Sequence, residues 1–198
     1  MAFKIVGSRL TIRSDEEMSV VDKKAADAAF KKYQKKFITP YMNEQGFLKY
    51  KTNAYVRKSK IDLLEYVEFQ KEYHGSKTFT VNIAVMPLYM PCDFIIFYFS
   101  HRLGELICRR DIWWDFADEI VCAASMENVK EAIDKFAMPW FRKMANEHLV
   151  RLLLVKKKLS SKLSVYDKKW LDAIDSRNSR TAVIQENVNK LGLPKVLI

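Results

Sequence analysis

Two hydrophobic periods divide the chain, and the change between them falls near Gly46. Before it, Ala26, Ala29, Phe30, Tyr33 and Phe37 recur at intervals of three and four, with lysines between them. That spacing predicts a long helix with one buried stripe. Ser14 and Glu17 fit a capping box at its start. Pro40, lacking an amide donor, is expected to kink the helix or begin a new turn. Gly46 is expected to end it by taking the left-handed conformation at little cost. Upstream, Phe3–Ile12 fits a short strand pair turning at Gly7 and Ser8.

After Gly46 the period becomes two. Phe47–Tyr50 and Asn53–Lys58 read as short strands. Ile61–Tyr73 reads as a longer one, with Ile61, Leu63, Val67 and Phe69 on one face and Asp62, Tyr66, Glu68 and Gln70 on the other. A turn at His74-Gly75-Ser76 leads into Lys77–Met86, where Phe79, Val81, Ile83 and Val85 oppose Thr78, Thr80 and Asn82. Such alternation suits an antiparallel sheet with one buried face. Pro87 and Pro91 bracket a connection to Asp93–Ser100, whose apolar and aromatic run predicts a strand covered on both faces or lying against a partner.

The helical period returns at Glu127, with Val129, Ile133, Phe136 and Ala137 as the stripe and an interruption at Pro139. It continues past His148 and closes with a helix over Ser179–Leu191, ended by Gly192 and Pro194. The expected fold class is α+β. It has an antiparallel sheet of about five strands packed against long helices, with a helical C-terminal extension. Residues 1–150 are expected to form the α+β domain and residues 151–198 a basic extension docked on it.

Charge sharpens that division. The net charge is +10, but residues 151–198 hold 11 Lys+Arg against 4 Asp+Glu, while residues 1–150 hold 23 against 20. The basic character belongs mainly to the tail and hints at an acidic partner. Three cysteines, Cys92, Cys108 and Cys122, make no disulfide framework and are expected to be small buried apolar groups. After Met1 the apolar stretch is broken at Lys4, Ser8 and Arg9, so no secretory leader is expected. No apolar run approaches the roughly 20 residues that span a bilayer. The expectation is a cytoplasmic protein without a membrane partner.

Candidate chemistry concentrates in Ser100–Phe116, SHRLGELICRRDIWWDF. Arg102, Arg109 and Arg110 with Trp113 and Trp114 combine forked cations with large flat rings, the residue types that dominate protein-binding hot spots. With Glu105 they form the candidate partner-binding set, and another protein is the first partner expected. Arg151, Lys156, Lys157, Lys158, Lys162, Lys168 and Lys169 form an alternative, nucleic-acid-binding set, with Tyr166 and Trp170 within reach for stacking. Glu105, Asp111 and Asp115 form a third candidate, a carboxylate site for acid–base chemistry, with Asp118 and Glu119 nearby. The bland reading of those acids is a solvated rim neutralised by Arg109 and Arg110.

His74, His101 and His148 lie far apart and no CxxC or HExxH spacing occurs, so no metal ligands are assigned. GxSxG, GxGxxG and Walker sequences are also missing. No catalytic residue and no cofactor is assigned.

Four segments resemble, in order, a bacterial family known as domain-of-unknown-function family 4304. They are TPYMNEQGFLKYKTNAYVRK, VEFQKEYHGSKTFTVNIAV, SHRLGELICRRDIWWDF with its Arg-Leu-Gly turn and Trp pair, and FAMPWFRK. Together they span about residues 22–145. The family's usual Cys shortly before the Arg-Leu-Gly turn has no close counterpart, since Cys92 lies ten residues before Arg102. The resemblance implies an α+β fold and supplies no catalytic residues.

Overall fold

The computed structural model describes residues 23–73, 76–175 and 180–198. The expected strand pair at 3–12, the Ser14–Glu17 capping box, the His74-Gly75 turn and Ser179 lie outside the described residues.

A first helix α1 (Lys23–Tyr33) passes through a wide π-turn (Gln34–Ile38) into α2 (Thr39–Glu44). The Thr39 amide donates to the Gln34 carbonyl five residues back. This extra residue accommodates Pro40, whose missing N–H and bulky ring would otherwise disturb an α-helical ladder. Gly46 (φ +79°) ends α2 as expected, with its amide on the Asn43 carbonyl and the Phe47 amide on that of Met42.

Strands β1 (Leu48–Tyr50), β2 (Ala54–Lys58), β3 (Leu63–Lys71), β4 (Thr78–Pro87) and β5 (Phe99–Arg102) form an antiparallel meander. A sixth strand, β6 (Trp114–Asp115), also pairs with β4, after a short helix α3 (Leu103–Cys108). The registers Tyr55↔Val67↔Ile83 and Val56↔Tyr66↔Ala84 keep apart the two faces read from the sequence. The expectation of one buried face is corrected: Val56, Tyr66, Thr80 and Ala84 on the second face are buried as well, Tyr66 under Phe97. On the first face, Phe79 meets Phe30 of α1 at 5.1 Å between ring centroids, and Phe30 meets Phe116 at 5.2 Å.

The expected strand Asp93–Ser100 is corrected to β5 alone. Asp93–Tyr98 is not strand, and Phe94 is 61% exposed. Its apolar side chains are spent on packing instead: Phe97 lies against Tyr66 at 5.0 Å, and Tyr98 against Trp170 at 5.0 Å.

The second long helix, α4 (Glu119–Ala132), begins eight residues earlier than expected. Asp118 is its N-cap, accepting the Val121 amide at 2.8 Å. A second π-turn (Ile133–Ala137) leads into α5 (Met138–Met144), so Pro139 does not interrupt the helix. Both prolines thus sit just beyond a π-turn. Glu119 meets Lys32 and Tyr33, and Asp134 meets Tyr41, so the two long helices run in the same sense across the sheet.

Three helices follow: α6 (Glu147–Leu159), α7 (Val165–Asp175) and α8 (Arg180–Lys190). They are anchored by buried side chains. Trp170 is fully buried, and its Nε1–H donates to the Tyr89 hydroxyl at 2.8 Å. Asn187, 1% exposed, donates to the Leu88 carbonyl at 2.8 Å and the Met90 carbonyl at 2.6 Å, and accepts the Cys92 amide at 3.2 Å. Among the described residues no helix is long and apolar enough to cross a membrane.

Candidate functional site

β5 and β6 lie along the same edge of β4, Asn82↔Arg102 in one and Phe79↔Trp114 in the other. They behave as one strand interrupted by the α3 excursion. Strand alternation then sorts the side chains. His101 and Trp114 turn toward the helices, His101 meeting Trp140 at 5.7 Å and Trp114 meeting Phe79 at 6.0 Å. Arg102 and Trp113 turn to the opposite face.

The adjacent tryptophans therefore have different fates. Trp114 is 7% exposed and donates its Nε1–H to Asn128 Oδ1 at 2.9 Å, so it belongs to the core. Trp113 is 38% exposed. The Arg102 guanidinium lies 5.3 Å from the Trp113 ring and is ion-paired with Asp111. That pairing fixes the cation over the ring.

Gly104 lets the excursion close. A Cβ there would stand 2.5 Å from both the Arg110 carbonyl oxygen and the Ile112 nitrogen. Arg109 ends α3 in the left-handed conformation (φ 60°), with its amide on the Glu105 carbonyl. Arg109 and Arg110 are exposed. Glu105 holds His101 Nδ1 at 3.0 Å. A cleft of about 300 Å³ opens beside this pair, lined by Phe97, Ser100, Arg102 and the β4 residues Asn82–Ala84. On the same face Asn82 donates to Gln70 Oε1 at 2.8 Å, extending the surface as a polar row.

The candidate carboxylates are each engaged elsewhere. Asp111 pairs with Arg102, Glu105 with His101, and Asp115 accepts the Ala117 amide at 2.7 Å. Asp118 caps α4, and Lys32 and Tyr33 hold the Glu119 carboxyl below its usual range by hydrogen bonding. The cluster seen in the sequence is thus divided among structural tasks. Among the described residues no group of three His, Cys, Asp or Glu side chains is placed to hold a metal ion.

The tail cations divide similarly. Lys157 is drawn inward, to Asp167 at 2.9 Å, the Tyr98 carbonyl at 3.4 Å and the Phe99 ring at 4.5 Å. Arg151, Lys156, Lys158, Lys162, Lys168 and Lys169 are exposed. Of the cysteines, Cys122 is buried as expected, while Cys92 is half-buried and Cys108 is exposed near the end of α3.

A second polar cluster, outside every candidate set, lies where the first π-turn faces β1 and β2. Lys49 Nζ donates to Gln34 Oε1 at 3.1 Å and to the Tyr55 hydroxyl at 3.2 Å. Tyr55 and Thr39 share a hydrogen bond of 2.8 Å, and Thr39 Oγ1 donates to the Gln34 carbonyl at 3.3 Å. Burial pushes the Tyr55 phenol up to about 12, against the lowering pull of Thr39. Desolvation lowers the Lys49 ammonium. One sequence signal existed: Gln34 continues the apolar series Phe30, Gln34, Ile38 as its single polar member.

The family model described as Domain of unknown function (DUF4304) matches residues 38–143, from the first π-turn through most of α5. No curated protein and no solved structure gives a significant match.

Proposed function

For a chain that belongs to the domain of unknown function family DUF4304, we propose a non-enzymatic, cytoplasmic binding role, in which another protein docks on the face built by Arg102, Glu105, Arg109, Arg110 and Trp113. Trp113 carries this reading: a large ring left 38% exposed beneath a guanidinium already held in place by Asp111. An aromatic anchor ordered before contact loses little freedom on binding. Arg109 and Arg110 stand exposed at the rim, where they favour carboxylates. The partner is therefore expected to offer an apolar side chain to Trp113 and acidic groups around it. Trp114, being core, drops out of the set.

The test places a photo-crosslinker at position 110, on the exposed rim beside Trp113, and, as control, at position 36, in living cells. A protein captured from 110 alone is then purified with its partner and titrated. Trp113→Ala is expected to weaken binding at least tenfold, as hot-spot residues do. Capture from both positions alike, or an unchanged affinity, counts against this surface.

A second reading, nucleic-acid binding, rests on the exposed Arg151, Lys156, Lys158, Lys162, Lys168 and Lys169. It predicts affinity for mixed-sequence DNA or RNA that falls steeply with salt. Charge reversal at Lys156 and Lys158 should abolish it, and Lys157, spent on Asp167, contributes nothing.

A further inference from the structure

The cluster at the first π-turn has the composition of an anion site. A cleft of about 370 Å³ is lined by Lys31, Gln34, Lys35, Thr39, Lys49 and Thr52. Three of the six lining residues are lysines and none is acidic. Among the described residues, no carboxylate pairs with Lys31, Lys35 or Lys49. Lys31 and Lys35 are one helical turn apart, a spacing at which like charges repel. Lys49 adds a third cation from the facing strand.

Gln34 is the second, independent observation. It is 3% exposed, and its Nε2 is buried without a hydrogen-bond partner. The orientation of the amide follows from Lys49. An ammonium can only donate, so Oε1 faces Lys49 and the NH₂ group is left with its donors unused. Buried donors in native proteins are almost always satisfied, and an unused one calls for an explanation. Lys49 holds the amide through Oε1, and the chain Lys49 Nζ to Tyr55 to Thr39 to the Gln34 carbonyl fixes the cleft's wall behind it. The π-turn itself turns Gln34 inward while leaving Lys31 and Lys35 outward, and such turns recur at binding sites.

We propose that this cleft binds a phosphate dianion, free or as the phosphoryl group of a small monoester, with Lys49 as its principal donor and the buried Gln34 NH₂ group turning out to join it. A tetrahedral group with several acceptor oxygens suits donors arriving from a helix, a strand and the Thr52 turn. A planar carboxylate, with two oxygens, would leave some unused. Lysine binds phosphate as a point charge that needs no fixed fork. Partial desolvation of Lys49 fits a group that awaits a counter-charge.

The experiment titrates the full chain with inorganic phosphate, phenyl phosphate, acetate and chloride at constant ionic strength, following amide NMR signals. The expected result is saturable shifts with either phosphate at the Gln34 side-chain NH₂ and at the Thr39 and Thr52 amides, and none with acetate or chloride. Tighter binding of phenyl phosphate assigns the site to a monoester; equal or weaker binding assigns it to the free ion. Lys49→Met, in the short margin strand β1, is expected to weaken phosphate at least tenfold while the chain still unfolds cooperatively, and Lys35→Ala less. Equal shifts from all four anions, phosphate shifts confined to Lys156–Lys158, or an unchanged affinity in Lys49→Met would overturn the proposal.

Discussion

The backbone nitrogen of Ile112 lies 2.5 Å from where a methyl group on Gly104 would stand. The return of the chain after α3 is thus possible because residue 104 has no side chain. Gly104→Ala must push the Arg110–Ile112 segment away. The expected cost is about 1–3 kcal/mol, the usual range for overpacking, with Trp113 emission shifted to the red. Thermal unfolding measured beside fluorescence checks both. A melting temperature equal to the parent's would mean that the segment yields freely.

Arg57 and Glu65 face each other across β2 and β3, with Nε and Oε2 2.6 Å apart and Glu65 2% exposed. Arg57 also donates to the Gln45 carbonyl and covers the Phe47 ring, so it joins the sheet to the end of α2. Arg57→Met should cost about 3–5 kcal/mol by leaving a buried carboxylate unpaired. Arg57→Met with Glu65→Leu should recover most of that loss. Burial raises the Glu65 carboxyl above its usual 4.5, and Arg57 opposes the shift. A raised folded value means stability is lost as pH rises through it. The single variant's deficit should therefore shrink on acidification toward pH 4.5, and urea unfolding at several pH values will show whether it does.

Asp167 titrates in the opposite direction. Burial disfavours its charge, but hydrogen bonds from Lys157 and Ser164 outweigh burial and hold the carboxyl below the usual 3.8. The unfolded chain takes up this proton first as pH falls. The stabilisation is complete above the unfolded value and is lost as pH falls through the lower folded one. Asp167→Asn should flatten the acid limb of stability between about pH 5 and 2. Coinciding acid limbs would mean that Lys157 does not hold the carboxylate charged.

Where side-chain period alone decides structure, the sequence was legible. The alternation of Val67 and Phe69 against Tyr66 and Glu68 placed β3 correctly, and the same rule explains why Trp113 and Trp114 part. Stop signals such as Gly46 were also legible, because one residue determines them. Met138-Pro139 misled, since a missing amide reads as a break while a π-turn can absorb it; Pro40 begins a new helical turn, one of its two expected outcomes. Asp118 was hidden among acids whose number suggested chemistry and whose positions serve capping. Asp93–Tyr98 carried a strand's composition, yet the β4 edge pairs only from Asn82 to Val85 in β5. The Lys49–Gln34–Thr39 cluster was the least visible, because its members come from a helix and a hairpin that meet only in three dimensions.

Among the described residues the sheet narrows at both margins: β1 has three residues, β5 four and β6 two. A stray strand arriving at either side finds few free amides and carbonyls to grip. Fibril growth by edge addition is starved of a template at its first step. Among the described residues, the half-exposed Trp113 thus sits beside strand edges too short to template polymerisation.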